Sequence, residues 1–161
     1  MDVRQISVIG AGDCTPREAE SARRVGALLA RAGVVVITGG LGGVMEAASR
    51  GAVEAGGLTV GVLPTDRLDD ANPWVRVPLA TGMGDARNVI IAGSAKVVIA
   101  IGGRLGTLAE IAFARKRGIP VIGLDSWEID ADRAATSGVV PAVSPEDAVA
   151  RALELLGRSP A

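Results

Sequence analysis

A glycine-rich turn followed by a carboxylate occupies the segment IGGRLGTLAE. It contains Gly102, Gly103, Gly106, Thr107 and Glu110. Glycine lets the backbone approach a ligand closely, and the free amides at the start of the next helix attract anions, so this turn predicts a phosphate site. Glu110 has two alternative roles. It is either a catalytic carboxylate beside that phosphate or the partner of Thr107 in a capping box, in which two side chains satisfy end-of-helix amides.

The same capping pattern occurs at two other predicted helix starts. Thr15 precedes Glu18 by three residues, Ser144 precedes Asp147 by three, and a proline follows the first residue of each pair. Proline suits the first helical position, so we expect both pairs to be caps without chemistry. Capping is therefore the usual role of this spacing in the chain, and the residues alone leave both roles open for Glu110.

Two further predicted strands end in glycine-rich turns, each before a predicted helix. In an open parallel sheet, ligands bind beyond the carboxyl ends of the strands, where the strand order reverses. We therefore expect the three turns to form one cradle for a phosphate group. No GxxxxGK[ST] motif is present, which excludes a P-loop NTPase. The glycines of these two turns are Gly10 and Gly12 in the first and Gly39, Gly40, Gly42 and Gly43 in the second.

Arg87 lies at the start of another predicted helix, in the segment TGMGDARN. A positive side chain at that end opposes the helix dipole, and a bound phosphate would supply the anion that a guanidinium grips in a forked geometry.

Asp13 and Asp85 are expected to cap helices or turns. Cys14 has no histidine to activate it, so we expect a small packed residue there, and we expect both tryptophans to be packing residues.

Composition excludes several classes of chemistry. The 161 residues include no histidine and one cysteine, which excludes histidine-based acid–base catalysis, disulfides and cysteine-cluster metal sites. We expect no metal site and no required cofactor. The formal net charge of -1 argues against nucleic-acid binding through a basic surface. The N-terminal segment does not resemble a signal peptide and no apolar run is long enough to cross a bilayer, so the sequence predicts a cytoplasmic protein without membrane contact.

Short apolar runs flanked by glycine alternate with helical patterns. The runs lack the alternation of a half-exposed sheet, which predicts strands buried on both faces. We therefore predict one domain over residues 1–161, with a three-layer α/β/α Rossmann-like fold and a mostly parallel central sheet. Residues 125–143 are predicted to be an irregular connection. The predicted strands are 6–10, 34–40, 58–64, 75–79, 97–103 and 119–124, and the predicted helices are 16–32, 43–56, 84–95, 107–117 and 145–157.

Three motifs, taken in order, resemble the LOG-like Rossmann superfamily: TGGLGGVMEAASRGA at 38–52, MGDARN at 83–88 and IGGRLGTLAEI at 101–111. This superfamily includes cytokinin-activating phosphoribohydrolases and molybdenum cofactor carrier proteins, and the sequence is most similar to the small bacterial branch near the carriers. The resemblance implies that the glycines and Thr107 hold a phosphate. It also implies that Arg87 and Glu110 are a catalytic pair that cleaves a nucleoside 5′-monophosphate into free base and ribose 5-phosphate.

The sequence departs from the phosphoribohydrolase pattern at Ile101, where proline is usual, and at Asn88, where lysine is usual. The carriers share the phosphate loops but act by binding. Two functions therefore remain open: hydrolysis of an AMP-like nucleotide, or non-catalytic binding and carriage of a nucleotide or a molybdopterin-type ligand. A nucleotide-sensing module is a third possibility. The expected partner is a small phosphorylated molecule, and an apolar stripe at 83–95 predicts a homodimer or homotetramer.

Overall fold

A computed structural model describes residues 4–129 and 138–158 of the chain. Over these residues, seven strands form a single sheet in which every pairing is parallel. The strands are β1 (Gln5–Gly10), β2 (Val35–Thr38), β3 (Thr59–Leu63), β4 (Val77–Ala80), β5 (Val98–Ile101), β6 (Val121–Leu124) and β7 (Val140–Ala142). Their order across the sheet is β4-β3-β2-β1-β5-β6-β7.

Helices connect the strands. Within the described residues they are α1 (Pro16–Arg31), α2 (Val44–Glu54), α3 (Asn88–Gly93), α4 (Leu105–Lys116) and α5 (Pro145–Arg158), with short 3-10 turns at Leu68–Asp70 and Gly84–Arg87. The predicted helix at 84–95 therefore divides into a 3-10 turn and the short α3. The other predicted helices agree with the structure to within about two residues at each end.

Apolar side chains cover both faces of the sheet. Ile6 and Val8 of β1 belong to a core cluster with α1, α2 and α5, whereas Ile9 belongs to a second cluster with α3 and α4. All three side chains are almost fully buried. Because successive residues of a strand point to opposite faces, a strand covered on both sides is apolar at most positions. The buried exception in β1 is Ser7, whose hydroxyl donates to the Ile91 oxygen at 2.7 Å. The predicted three-layer α/β/α arrangement is confirmed.

The strand order reverses beside β1. The chain first adds β2, β3 and β4 outward on one side of β1, and then crosses back to place β5 on the other side. The register pairs Gly10, the last residue of β1, with Ile101, the last residue of β5. The carboxyl ends of these two strands therefore lie side by side, and the connections that leave them diverge to opposite faces. This divergence opens a crevice at the point where ligands of such sheets bind.

One expectation about the edge of the sheet is wrong. Residues 140–142 form β7, which pairs in parallel with β6, although 125–143 was expected to be irregular. The strand is only three residues long and contains Pro141. Proline is tolerated at an edge because one side of the strand has no partner. The part of that predicted connection at 130–137 lies outside the described residues.

No helix in the described parts of the chain combines the length and apolar character needed to span a membrane.

Candidate functional site

A cleft of about 240 Å³ lies at the carboxyl ends of β1 and β5, at the reversal of strand order. The turn after β1, the 3-10 turn before α3 and the first two turns of α4 form its walls, and Met45 of α2 reaches it from one side. The cleft brings together six of the predicted site residues, and six others complete the lining. The six are Gly10, Gly12, Arg87, Gly106, Thr107 and Glu110, and the others include Asp13, Asp85, Asn88 and Arg104.

The second glycine turn supports the cleft without lining it. A Cβ atom on Gly39 would lie 3.0 Å from Nη2 of Arg87, so this glycine lets the backbone of the turn pack against the guanidinium group. Gly43 has a φ of 64°, and a Cβ atom on it would overlap the carbonyl oxygens of Ala11 and Gly12. The Val44 amide donates to the Ala11 oxygen at 3.0 Å. The turn is thus joined to the first glycine turn.

Four more glycines, two in the turn after β2 and two in the turn after β5, also lie outside the lining of the cleft. Gly40 packs against Leu63 of β3, and a Cβ atom on Gly42 would lie 3.6 Å from the Gly12 oxygen. Gly102 and Gly103 have φ values of 53° and 111°, which reverse the chain after β5. Their role in this structure is to set where α4 begins.

Of the two roles left open for Glu110, the capping box with Thr107 is not formed. Helix α4 begins at Leu105, and its N-cap residue is Arg104, which makes no side-chain cap. The left-handed turn after β5 starts the helix two residues before Thr107, so Thr107 and Glu110 lie within its first two turns. They are three residues apart and therefore share one face of the helix. That face is turned towards the cleft, where Thr107 is 3% and Glu110 is 7% exposed.

The two other motifs with this spacing, Thr15–Glu18 and Ser144–Asp147, are helix caps in the structure. Thr15 Oγ1 accepts from the Glu18 amide at 3.2 Å, and the Thr15 amide donates to the Glu18 carboxylate at 2.7 Å, which completes the predicted box. Ser144 Oγ accepts from the Asp147 amide at 3.1 Å. Asp13 and Asp85 are not N-cap residues, because Thr15 and Met83 hold those positions.

Burial perturbs the Glu110 carboxyl group. Removal from water raises its pKa from 4.5 to about 7, and the nearby positive charge of Arg87 offsets part of this increase. At neutral pH the group therefore exists in both protonation states. A protonated carboxyl donates a hydrogen bond, whereas an ionised one accepts, so Glu110 can adapt to the charge of a bound anion.

Arg87 retains free hydrogen-bonding capacity. The side chain is 8% exposed, and its Nη1 atom donates to Oδ1 of Asn88. Burial lowers its pKa, while Glu110 and Asp85 raise it. Its Nε atom is buried and has no partner among the described residues. Buried donors in native proteins are normally paired, and this nitrogen is a donor that the described residues leave unused beside the cleft.

The mouth of the cleft carries a weak ion pair. Arg104 and Asp13 lie 3.6 Å apart, with 74% and 94% of their side chains exposed. A pair this exposed contributes little to stability and separates readily.

Cys14 is half-buried against the core, as expected, and burial together with Glu18 and Asp13 raises the pKa of its thiol. A thiol with a raised pKa is a poor nucleophile, so Cys14 adds no chemistry to the cleft.

Comparison with known families identifies the chain. The sequence model of the SLOG cluster4 family matches residues 3–149. The chain belongs to this family. Among its relatives, an uncharacterised protein of Archaeoglobus fulgidus is 49% identical over 124 residues, which cover 77% of this chain and 82% of the relative. The resemblance to the LOG-like superfamily, in the branch near the cofactor carriers, is confirmed.

Two solved structures are similar to this SLOG cluster4 protein over almost their whole length. The molybdenum cofactor binding protein of Rippkaea orientalis is 38% identical, with a TM-score of 0.89 over 97% of this chain and 99% of that one. The Moco carrier protein of Chlamydomonas reinhardtii is 35% identical, with a TM-score of 0.87 over 98% of this chain and 100% of that one.

Several residues that line the cleft in this SLOG cluster4 protein were not predicted from the sequence to be site residues. Asn88 was noted only as a departure from a lysine pattern, yet it accepts the hydrogen bond that orients Arg87. Arg104 and Asp13 are adjacent to glycine turns, and that adjacency was the available signal. No sequence pattern marks Met45 as a cleft residue, because its position depends on how α2 packs beside the turn after β1.

Proposed function

We propose that this SLOG cluster4 protein binds a phosphate-bearing ligand of the molybdenum cofactor class at the β1–β5 cleft and acts by holding it, without cleaving it. One observation carries the proposal: the chain is 38% identical, across 97% of its length, to a protein described as a molybdenum cofactor binding protein. Carriage needs a cleft that grips an anion and releases it. It needs no nucleophile and no histidine.

The residues of the cleft fit the phosphate end of such a ligand. Arg87 offers a buried Nε atom that pairs with none of the residues the structure describes, and guanidinium groups hold phosphate oxygens through charge-assisted hydrogen bonds. The backbone at Gly10, Gly12 and Gly106 carries no side chain that would keep a phosphate away. Glu110 in its protonated form donates to a phosphate oxygen instead of repelling it. Gly39 allows the Arg87 guanidinium to lie against the backbone.

Co-purification tests this proposal. The protein is expressed in a host that makes the cofactor and purified without oxygen, and bound molybdopterin is oxidised to a fluorescent pterin that chromatography quantifies. We expect pterin with the wild-type chain and about 10- to 100-fold less with Arg87→Met, because a lost hydrogen bond to a charged group weakens binding by about this factor. Arg76→Met, which removes an exposed arginine outside the cleft, is the control. Equal pterin in both variants would overturn the assignment of Arg87.

Hydrolysis is the second candidate function, and the electrostatics of Glu110 favour it. A carboxyl group with a pKa of about 7 beside a buried arginine suits acid–base catalysis near neutral pH. Incubation with AMP and related monophosphates, followed by chromatography of free bases, tests it. Turnover that Glu110→Gln abolishes would replace the carrier proposal with the hydrolase. Absence of turnover by a wild-type protein that binds the nucleotide removes the hydrolase.

A further inference from the structure

Two buried groups of opposite charge line the β1–β5 cleft without touching each other. Arg87, in the 3-10 turn before α3, is 8% exposed, and Glu110, in the first two turns of α4, is 7% exposed. Among the described residues, the two side chains form neither a hydrogen bond nor an ion pair with each other, although each shifts the pKa of the other. Both groups therefore bring hydrogen-bonding capacity to a cleft of about 240 Å³.

The other charged groups that face Glu110 across the described lining are exposed to water. They are Asp13 after β1, Asp85 in the 3-10 turn and Arg104 at the start of α4. Helix α2 contributes Met45, which is uncharged. Exposed charges are screened by solvent, and Arg104 also pairs with Asp13 at 3.6 Å. An anion inside the cleft therefore meets chiefly the charges of Arg87 and Glu110.

The charges of these two groups do not balance those of a phosphate monoester. Near neutral pH the ester carries almost two negative charges, because its second pKa is about 6. Arg87 offsets one of them through charge-assisted hydrogen bonds. An ionised Glu110 would add a further negative charge beside the phosphate, and like charges in one buried site disfavour each other.

A proton on Glu110 removes this repulsion. The neutral carboxyl group becomes a hydrogen-bond donor to a phosphate oxygen. Burial alone already raises the pKa of Glu110 from 4.5 to about 7, so little is needed to protonate it near neutral pH. Coupling between two bound species is reciprocal, so a phosphate that binds better to the protonated cleft must also make the cleft bind its proton more tightly.

We propose that the cleft takes up one proton from solvent as the phosphate binds, and that Glu110 is the residue that holds it. The proton lies between a carboxyl oxygen and a phosphate oxygen, and the pair titrates as a unit. The neutral carboxyl group retains the phosphate, and the carboxylate expels it. Glu110 thus determines when the cleft holds its ligand and when it releases it. This inference rests on the proposed function, because it concerns the phosphate assigned to this cleft.

Titration calorimetry with neopterin monophosphate, a pterin that carries a terminal phosphate, tests the coupling. Above pH 7 the charge of this phosphate changes little, because its second pKa is about 6. Since the pKa of Glu110 without ligand is about 7, the wild type should bind the probe about 10-fold more weakly at pH 8.5 than at pH 7. Comparison of buffers with different heats of ionisation at pH 8.5 should show uptake of about one proton for each probe molecule bound.

Glu110→Gln locates the proton. Glutamine does not titrate and donates through its amide at every pH, so the variant should bind equally at pH 7 and pH 8.5 and take up no proton. At pH 8.5 it should bind about 10-fold more tightly than the wild type, a gain that loss of a purely structural residue would not produce. Glu110→Met, which also cannot titrate, replaces it in the proton count if the glutamine variant fails to fold.

Glu46→Gln is the matched control. It changes a carboxylate on α2, next in sequence to Met45, that lines a separate groove between α1 and α2. This variant should keep the proton uptake of the wild type and its weaker binding at pH 8.5.

The outcomes separate the two proposals. If Arg87→Met weakens binding but the wild type binds equally at both pH values and takes up no proton, the coupling is overturned and the phosphate cleft stands. Proton uptake that survives substitution of Glu110 overturns the assignment to this residue. If the wild type does not bind the probe at either pH, or if Arg87→Met leaves binding unchanged, the proposed function fails and the coupling fails with it. Uptake that Glu110→Gln removes and Glu46→Gln retains establishes the coupling.

Discussion

Replacing Glu110 by glutamine should remove one pH-dependent contribution to stability. The carboxyl group has a pKa of about 7 in the folded chain, compared with 4.5 as its ordinary value, because burial disfavours the charged form. The folded chain therefore binds this proton more tightly than the unfolded chain does. The resulting stabilisation is fully present below about pH 4.5 and is lost as the pH rises through about 7. Glutamine is neutral at every pH and has a similar shape.

The two pKa values determine the size of the effect. At about 1.4 kcal/mol for each tenfold change, the interval from 4.5 to about 7 corresponds to about 3 kcal/mol. Between pH 5 and pH 8.5 the wild-type chain should lose about 2–3 kcal/mol of unfolding free energy through this group. Glu110→Gln should not lose this contribution. The difference in unfolding free energy between the variant and the wild type near pH 5 measures the substitution itself. By pH 8.5 this difference should shift by about 2–3 kcal/mol in favour of the variant.

Urea unfolding of both chains at several pH values measures this difference. Subtraction removes the pH dependence of all other groups, provided that the two chains share the same unfolded state. Glu20→Gln, which changes one exposed carboxylate on α1, is the control. A difference between wild type and Glu110→Gln that stays constant within about 0.5 kcal/mol from pH 5 to pH 8.5 would refute the argument that burial of this carboxyl group costs free energy.

Further predictions concern the caps, the turns, the ligand and the assembly. Thr15→Ala should lower the unfolding free energy by about 1 kcal/mol in urea, because it removes the N-cap of α1. Gly43→Ala should cost more than Gly56→Ala in the same assay, because both have positive φ but only Gly43 would meet backbone oxygens; equal costs would contradict the proposed close contact. A monophosphate at 100 times its dissociation constant should raise stability by about 2.7 kcal/mol in the wild type, and the same concentration should have a much smaller effect on Arg87→Met. Met83 is 48% exposed in the predicted interface stripe, so Met83→Asp should reduce the mass measured by light scattering from that of a homodimer or homotetramer; a monomeric wild type would remove that prediction.

The sequence predicted the layers of the fold because its local signals agree. Runs such as ISVIG and VVIAIGG lack the alternation of polar and apolar residues and end in glycine, which is typical of a strand covered on both faces. It did not predict β7, because a three-residue edge strand with a central proline has no distinguishing pattern. The capping-box alternative at Thr107 and Glu110 failed for a related reason. The position where a helix begins depends on backbone geometry, here the positive φ values of Gly102 and Gly103, and side-chain spacing does not encode it.

The cleft was predictable only in outline. Glycine turns and the parallel order of the strands placed Gly10, Gly106 and Glu110 at one edge of the sheet. The contact of Arg87 with Asn88 involves sequence neighbours, but the burial of Arg87 depends on Gly39, which belongs to a different connection. Such contacts between distant segments follow from packing. No local pattern of residue types reports them.

The position of the cleft between β1 and β5 has a consequence for synthesis of the protein. At about 5–20 residues per second, a ribosome makes β1 on the order of ten seconds before β5, and during that interval β1 has only β2 as a partner. The cleft is therefore absent from every nascent chain that lacks α4, and a ligand cannot assist the early steps of folding. In the finished molecule the ligand would contact both halves of the chain. A bound ligand would then hold the two halves together where β5 pairs with β1, so that a loaded protein resists opening at this point more than an unloaded one.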